Sequence, residues 1–359
     1  MTSALLIRLG GLGDLLVALP ALRLVRASFP DASLHLLARK EYGGLLREAG
    51  IVDRVFSADA AKWAPLFEAG GPACAGEGGP GRAPAPAYAG GRAKAHDPPP
   101  TEFRRELSGY DWIAGWFQGL RAAADFREFF RSGDVPSADP VPACAKGWAG
   151  TNAGAFPPSA ILYDPASGLP ISRFFFDRTR DALCAGLAAH SRGPAASFDN
   201  CRFLFPPDRS RRERFSVVHP GSGGRAKSWP LDRFLKVILA LRATGLDGFL
   251  VSGEAESGRE ADLAALPLPF GWRRLVRPPL SDLARMLHAA AVYVGNDSGP
   301  THLAAACGAE TVAVFRQEFR AAWAPFGRST VLSAPRVEDV AAEDVIAAVM
   351  KVLDGTPAA

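Results

Sequence analysis

The stretch Asn296–His302 (NDSGPTH) decides the fold of this chain, because it joins two runs with different patterns. It follows an apolar run, Ala291–Gly295, and it precedes a run of small residues, Leu303–Cys307. The pattern predicts a buried strand that turns directly into a helix. Strand and helix patterns alternate in this way along the whole sequence, which indicates an α/β fold.

The turn between this strand and this helix suits an anion. Asp297 or Ser298 can cap the helix, and Pro300 fits its first turn. Backbone N–H groups at a helix start and the helix dipole attract negative charge, and Ser298, Thr301 and His302 add side-chain donors. A nucleotide diphosphate needs such donors. The alternative is an ordinary strand–helix turn, since neither the Rossmann glycine pattern nor a Walker lysine is present here.

The length of 359 residues suits two domains, which we place at 1–200 and 201–359 with a Pro-rich linker at 191–214. In the first we predict strands at 4–9, 34–37, 52–56, 110–117 and 160–163, and helices at 14–28 and 174–190. Pro20 is expected to kink or restart the first of these helices. In the second we predict strands at 216–219, 248–251, 292–295 and 311–315, and helices at 231–243, 281–290 and 337–353. Ser281 is the expected cap of the helix at 281–290.

Composition narrows the class of protein. Residues 70–100 and 132–158 are rich in Gly and Pro without periodicity, and we interpret 70–100 as a flexible insertion. No apolar run reaches the roughly 20 residues of a membrane span, and Arg8 and Asp14 interrupt the N-terminus, which argues against a signal peptide. The net charge of +4 favours anionic ligands and gives little support for nucleic acid. The five scattered cysteines indicate reduced thiols in the cytosol: Cys74, Cys144, Cys184, Cys201 and Cys307.

A glycine-rich turn, Gly10–Asp14, follows the first predicted strand. Its glycines, including Gly13, allow the backbone to approach a ligand closely. Asp14 then lies at the start of a helix and at the carboxyl edge of the sheet, where α/β proteins bind ligands. It is a candidate general base, and the alternative is that it only caps its helix.

Two more loops in the second half fit the same kind of ligand. His219–Pro230 (HPGSGGRAKSWP) carries glycines and two cations, so that Ser222, Gly223 and the loop backbone can form an anion nest and Lys227 can bind phosphate. The alternative is a flexible surface loop with solvated cations. After the predicted strand at 248–251, Glu254 or Glu256 can accept hydrogen bonds from ribose, or can simply begin a helix.

Five motifs together resemble those of the bacterial heptosyltransferases, glycosyltransferase family 9. They span nearly the whole chain: Leu9–Pro20 (LGGLGDLLVALP), Tyr110–Arg121 (YDWIAGWFQGLR), His219–Pro230, Gly295–Gly308 (GNDSGPTHLAAACG) and Trp323–Gly327 (WAPFG). The resemblance implies a GT-B fold, in which two Rossmann-like domains face each other across a cleft. It also implies inverting sugar transfer without a metal or other cofactor, from an ADP-heptose-like donor to a lipopolysaccharide-core glycolipid. Such a protein would be cytoplasmic or peripheral at the cytoplasmic face of the inner membrane.

The resemblance also assigns roles to residues. Asp14 matches the family's catalytic base and Lys227 its donor-phosphate lysine. Glu256 matches its ribose-binding acid, although Glu254 competes for that role. The pyrophosphate and sugar loop of the family corresponds to Asp297, Ser298, Gly299, Thr301 and His302.

Three features depart from the family pattern, and one of them is the long Gly/Pro-rich insertion after Gly70. Arg316–Glu318 stand where the family often has Gly-Pro-Thr, and Trp116 stands where it often has an acid. The sequence leaves two other functions open beside the transferase. One is a non-catalytic nucleotide-sugar-binding protein on the same fold. The other is a nucleotide-dependent epimerase or oxidoreductase, for which the third glycine of the dinucleotide fingerprint is missing.

Overall fold

The computed structural model describes residues 1–60, 63, 107, 109–117, 159–187, 196–205, 213–253, 256 and 258–355. The chain divides into two compact units, Met1–Ser167 with Ile171–Cys201, and Gly168–Pro170 with Arg202–Ala359. The predicted insertion at 70–100, the stretch 132–158, Cys74, Cys144 and Glu254 lie outside the described residues. Within the described ranges, no helix is both long enough and apolar enough to cross a lipid bilayer.

The first unit contains a five-stranded parallel sheet with the order β3-β2-β1-β4-β5. Its strands are β1 (Ser3–Ile7), β2 (Ser33–Ala38), β3 (Arg54–Ser57), β4 (Trp112–Phe117) and β5 (Ser159–Leu162). The strand order reverses between β1 and β4, as in the Rossmann fold. The five predicted strands are therefore confirmed, each within a few residues of its expected ends.

The helices of the first unit include a break that the sequence indicated. They are α1 (Leu12–Val17), α2 (Leu19–Ser28), α3 (Lys40–Glu48), α4 (Ile171–Leu187) and α5 (Phe198–Cys201). The single helix predicted at 14–28 is two helices that meet at Ala18, and Pro20 lies in the first turn of the second. Sequence analysis missed α3, where Gly43 and Gly44 interrupt the apolar pattern. Gly43 is needed there, because a Cβ atom would lie 2.5 Å from the Val55 side chain.

The second unit contains a six-stranded parallel sheet with the order β11-β10-β9-β6-β7-β8. Its strands are β6 (Phe215–His219), β7 (Asp247–Ser252), β8 (Trp272–Val276), β9 (Val292–Asn296), β10 (Thr311–Arg316) and β11 (Ser329–Ala334). This is again the Rossmann order, with the reversal between β6 and β9. The four predicted strands are confirmed. Sequence analysis missed the edge strands β8 and β11, which are only partly buried and so lack a continuous apolar run.

The helices of the second unit correct two predictions. They are α6 (Leu231–Ala243), α7 (Glu260–Ala265), α8 (Leu280–Ala289), α9 (Gly299–Ala306), α10 (Gln317–Trp323) and α11 (Ala342–Leu353). Ser281 does not cap α8, because that helix already begins at Leu280 with Pro279 as its N-cap. The tail helix predicted at 337–353 is a short 3-10 turn, Val337–Asp339, followed by α11.

Trp229 anchors one of the predicted ligand loops to the core of the second unit. Its side chain is fully buried, and its indole N–H donates to the carbonyl of Val340 at 2.9 Å. Its ring lies 4.9 Å from the ring of Phe234 on α6, in an edge-to-face arrangement. The last residues of the motif His219–Pro230 therefore have a structural role.

Trp229→Ala is expected to lower the free energy of unfolding by about 3–5 kcal/mol, because it leaves a cavity in the core. Leu239→Ala is the matched control, since Leu239 lies on the same helix as Phe234 but is 49% exposed. Urea unfolding of both variants measures the difference. Similar losses in the two variants would contradict the anchoring role of Trp229.

Candidate active site

Asp14 lies in the first turn of α1, beside Gly13. Its Oδ2 accepts a hydrogen bond from the backbone N–H of Gly11 at 2.7 Å. The preceding Gly10 has φ +109°, and a Cβ atom there would lie 2.6 Å from the Asp14 carboxylate. Glycine at this position thus permits both the left-handed turn and the close approach of the carboxylate. Asp14 does stabilise the helix start, and its side chain is still 28% exposed.

Arg8 holds Asp14 from the other side. Its Nη2 lies 3.4 Å from Asp14 Oδ1, and its Nε donates to the Asp14 carbonyl at 2.7 Å. Its Nη1 donates to the carbonyl of Trp116 at 2.9 Å, which links the ends of β1 and β4. Burial lowers the pKa of the Arg8 guanidinium, and the charge of Asp14 opposes that effect. The conformation of Asp14 is therefore fixed by a buried cation and a helix terminus together.

Trp116, one of the departures from the family pattern, belongs to the core. Its side chain is fully buried, and its indole N–H donates to Thr179 Oγ1 on α4 at 2.9 Å. Thr179 in turn donates to the carbonyl of Phe175 at 2.7 Å. The change from an acid to Trp116 therefore adds a buried contact between β4 and α4.

The three loops predicted in the second half lie at one edge of the sheet. They follow β6, β7 and β9, and the strand order β9-β6-β7 makes these three strands neighbours. Because the strands are parallel, their carboxyl ends meet at the same edge. That edge contains the reversal of strand order, the place where open α/β sheets bind ligands.

Asn296, at the end of β9, connects two of these loops. Its Nδ2 donates to the carbonyl of Pro220 at 2.8 Å, and its Oδ1 accepts from the backbone N–H of Trp229 at 3.2 Å. Its side chain is fully buried. Asn296 thus fixes both ends of the loop after β6. Sequence analysis placed it in the key stretch but gave it no role of its own.

The loop after β6 is shaped by its own serines. Ser222 Oγ donates to the carbonyl of Gly224 at 2.8 Å and lies 2.9 Å from Ser228 Oγ. Ser222 is buried, whereas Gly223 is exposed. Ser222 therefore supports the loop conformation, and the loop offers its backbone near Gly223 and the side chain of Lys227.

Lys227 has two partners in the same unit. Its Nζ lies 2.7 Å from Asp297 Oδ2 and 4.2 Å from the centre of the Phe319 ring. The lysine side chain is 33% exposed, and that of Asp297 is 8% exposed. Phe319 lies on α10, just after Arg316–Glu318, another departure from the family pattern. The structure thus adds Phe319 to the candidate site, a residue that no motif indicated.

The start of α9 differs in detail from the prediction. Ser298 is the N-cap residue, but its hydroxyl makes no capping bond and instead lies 3.4 Å from His219 Nδ1 and 3.1 Å from Thr301 Oγ1. Thr301 and His302 are buried. Thr301 donates to the Asn296 carbonyl at 2.5 Å, and the His302 ring lies 6.1 Å from the Trp323 ring. Pro300 does occupy the first turn, as expected.

Glu256 is buried beside His219. Its Oε2 lies 3.6 Å from His219 Nε2 and accepts from the backbone N–H of Gly253 at 2.5 Å. Burial alone would raise the pKa of Glu256, but the hydrogen bond and charge of His219, the Gly253 N–H and the charge of Arg259 together lower it. Gly221 is required here, since a Cβ atom would lie 1.8 Å from Glu256 Oε1. In the described part of the chain, no group of three or more His, Cys, Asp and Glu side chains is placed to hold a metal ion.

Comparison with known proteins identifies the second half of the chain. Residues 174–344 match the sequence profile of glycosyltransferase family 9 (heptosyltransferase). The chain carries a family 9 glycosyltransferase domain. The match favours the transferase over the epimerase and oxidoreductase alternatives, and it supports a glycosyltransferase. A comparison with curated protein sequences found no match.

Solved structures with the same fold include three from glycosyltransferases. E. coli ADP-heptose lipopolysaccharide heptosyltransferase II aligns with a TM-score of 0.64 and 16% identity, over 98% of this chain and 99% of that one. A family 9 glycosyltransferase from Veillonella parvula gives 0.64 and 12%, over 99% and 98%. E. coli heptosyltransferase WaaC with ADP gives 0.60 and 16%, over 98% and 99%. Together with the two parallel sheets, these likenesses confirm the expected GT-B class with two Rossmann-like domains.

Proposed function

We propose that this family 9 glycosyltransferase transfers a heptose, with inversion, from an ADP-activated donor to a lipopolysaccharide-core or related cell-envelope glycan. The observation that carries the proposal is the arrangement of Lys227 and Asp297 beside the start of α9, where the strand order reverses. A diphosphate at such a position meets a cation and a helix dipole together. Structures of the E. coli protein WaaC contain ADP and ADP-2-deoxy-2-fluoro heptose, which supports the same donor class here.

The proposed chemistry uses one residue from each unit. Asp14 accepts the proton of the acceptor hydroxyl as its oxygen attacks the anomeric carbon of the donor. The bond from that carbon to the β-phosphate oxygen breaks, and ADP leaves with the electron pair. Lys227 and the start of α9 then stabilise the charge that develops on the leaving diphosphate. In this proposal, the domain at 201–359 binds the donor, and the domain at 1–200 binds the acceptor.

The ribose of the donor is assigned to the loop after β7. Glu256 lies in that loop, and in the structure its carboxylate is directed inward to His219 and Gly253. Ribose binding by Glu256 therefore requires that a hydroxyl reach the carboxylate or that the side chain turn outward. The contacts of Gly299 and Gly13 would be through the backbone, at the first turns of α9 and α1.

The proposed acceptor is a glycolipid at the cytoplasmic face of the inner membrane. In this proposal, the protein works in the cytoplasm and binds the membrane surface as a peripheral protein. The cations Arg82, Arg92 and Lys94 of the 70–100 insertion are suited to phosphate groups on such an acceptor.

Transfer should proceed in excess EDTA, because Lys227 and the helix dipole supply the positive charge that a metal ion gives other transferases. The experiment incubates the protein with ADP-heptose and lipopolysaccharide-core acceptors, and mass spectrometry detects an acceptor heavier by one heptose. UDP-glucose is the control donor. Activity that is lost on chelation and restored by Mg²⁺ or Mn²⁺ would contradict the metal-independent mechanism. Release of ADP without a glycosylated acceptor would contradict the transfer itself.

Asp14→Asn is expected to lower kcat by about 10²–10⁴-fold and to leave donor affinity unchanged, because the amide cannot accept a proton. The amide oxygen can still accept the hydrogen bond from Gly11, so the helix start should keep its stability. The melting temperature checks that point. A variant that retains more than about half of the wild-type kcat would show that Asp14 is a helix cap alone.

Lys227→Met should weaken ADP binding by about 1.5–3 kcal/mol, since it removes a charged hydrogen bond and leaves Asp297 facing the diphosphate. Phe319→Leu should have a smaller effect in the same direction, about 0.5–1 kcal/mol, because only the ring face that positions the ammonium is lost. Phe319→Tyr should bind as the wild type does. Calorimetry with ADP measures all three.

Lys236→Met is the matched control for Lys227→Met. Lys236 lies in the same unit, is 57% exposed and pairs with Glu343 at 3.6 Å. Its variant should bind ADP normally. Equal affinities of the Lys227 and Lys236 variants would refute the phosphate-binding role of Lys227.

A further inference from the structure

A row of polar side chains runs from the interior of the second unit to the start of α9. Glu256 Oε2 lies 3.6 Å from His219 Nε2, and His219 Nδ1 lies 3.4 Å from Ser298 Oγ. The side chains of Glu256 and His219 are each 3% exposed, whereas Ser298 is only partly buried. The imidazole therefore has a carboxylate on its inner nitrogen and, on its outer nitrogen, a hydroxyl near the surface.

The neighbouring hydroxyl groups restrict where the Ser298 proton can go. Thr301 donates its own proton to the Asn296 carbonyl at 2.5 Å, so its oxygen can only accept from other groups. Tyr293 OH lies 3.0 Å from Thr301 Oγ1, and burial raises the pKa of Tyr293, which keeps it a donor. In the described part of the chain, Thr301 Oγ1 at 3.1 Å and an unprotonated His219 Nδ1 at 3.4 Å can accept the Ser298 proton.

The protonation of His219 decides between two orientations of the Ser298 hydroxyl. In a neutral imidazole whose Nε2–H points to Glu256, Nδ1 is an acceptor and attracts the Ser298 proton. In the imidazolium, Nδ1–H donates to Ser298 Oγ, and the Ser298 proton must point elsewhere. A phosphate oxygen outside the helix start is then a suitable acceptor, and it is a stronger one than a neutral hydroxyl.

We propose that His219 is a positioning residue for the donor: its imidazolium turns the Ser298 hydroxyl toward the diphosphate, so that the nucleotide binds together with a proton. The inference rests on the proposed function, in which ADP binds at the start of α9. No covalent bond changes. The proton comes from the solvent and stays on His219 while the ligand is bound, and by linkage the ligand favours the imidazolium as much as the imidazolium favours the ligand.

The charges around His219 fit this coupling. On the loop after β7, the buried Glu256 carboxylate balances the imidazolium, and Arg259 interacts with Glu256 electrostatically. Tyr293 on β9 is neutral at ordinary pH. Lys227 lies in the loop that follows β6, the strand that ends at His219. Its ammonium group is already paired with Asp297 at 2.7 Å. The diphosphate therefore adds negative charge to a site whose own charges are paired, and a proton on His219 compensates part of it.

Calorimetry of ADP binding in buffers of different ionisation enthalpy, at about pH 7, measures the protons taken up. The terminal phosphate of ADP also titrates near pH 6, so the decisive quantity is the difference between the wild type and two variants. Ser298→Ala leaves His219 and Glu256 in place and removes the hydroxyl that transmits the effect. The Ser298→Ala substitution should weaken ADP binding about tenfold at pH 6.5. On binding ADP, this variant should take up measurably fewer protons than the wild type does.

His219→Asn is the second variant. Its amide N–H can lie near the position of Nδ1, and it donates to Ser298 at every pH. The affinity of the wild type for ADP should fall about 3–10-fold more than that of His219→Asn between pH 6.5 and 8.5, because only the wild type can lose the donor at this position by deprotonation. Ser298→Ala keeps the test valid where His219→Asn does not fold.

The possible results separate the two proposals. Equal proton uptake by the wild type and Ser298→Ala, with ADP bound by both, would overturn the role of His219 and leave the proposed function intact. No ADP binding by the folded wild type at any pH would overturn the proposed function, and this inference with it. Fewer protons taken up by Ser298→Ala, with normal melting temperature, supports the inference, because a merely structural role would not change the number of protons.

Discussion

The side chain of Asn296 and its backbone carbonyl hold the candidate donor site of the second unit together. The side-chain amide of Asn296 donates a hydrogen bond to the carbonyl of Pro220 and accepts one from the backbone N–H of Trp229. The backbone carbonyl of Asn296 accepts a hydrogen bond from the hydroxyl of Thr301. One fully buried residue therefore fixes both ends of the loop after β6 and the first turn of α9. A buried amide with all its hydrogen bonds made stabilises the loop by more than the sum of those bonds. The reason is that any other loop position would leave buried polar groups unpaired.

This arrangement determines how Lys227 can act. Its ammonium is not an isolated cation: Asp297 neutralises it at 2.7 Å and the Phe319 ring covers one side of it. A diphosphate that approaches Lys227 must share the lysine with Asp297, so the gain in binding is smaller than the attraction of a free charge. In return, the lysine is held in place before the ligand arrives, and less side-chain entropy is lost on binding.

In the first unit, the structural role of the Asp14 carboxylate is compatible with the proposed role as a base. Asp14 accepts the Gly11 N–H and interacts with Arg8, which fixes its position, while more than a quarter of its side chain remains open to solvent. The structure shows that Asp14 stabilises the start of its helix. In the proposed mechanism, the same contacts would orient it as a base. Arg8 is the residue that makes this possible, and its buried guanidinium also connects Asp14 to Trp116 on the neighbouring strand.

The sequence by itself determined what depends on neighbours along the chain. Alternating apolar runs gave the α/β class and most strands, Pro20 marked the break between α1 and α2, and glycine-rich turns located the three loops and Asp14. The carboxyl ends of parallel strands lie at the same edge of a sheet. The three loops of the second unit therefore lie together because β9, β6 and β7 are neighbours. Only the tertiary structure decided which side chains face outward. It directed Thr301, His302 and Glu256 inward, brought Phe319 to Lys227, began α8 before Ser281 and placed His219 between Glu256 and Ser298. These features depend on contacts between residues far apart in sequence, where burial and unpaired polar groups outweigh local preference.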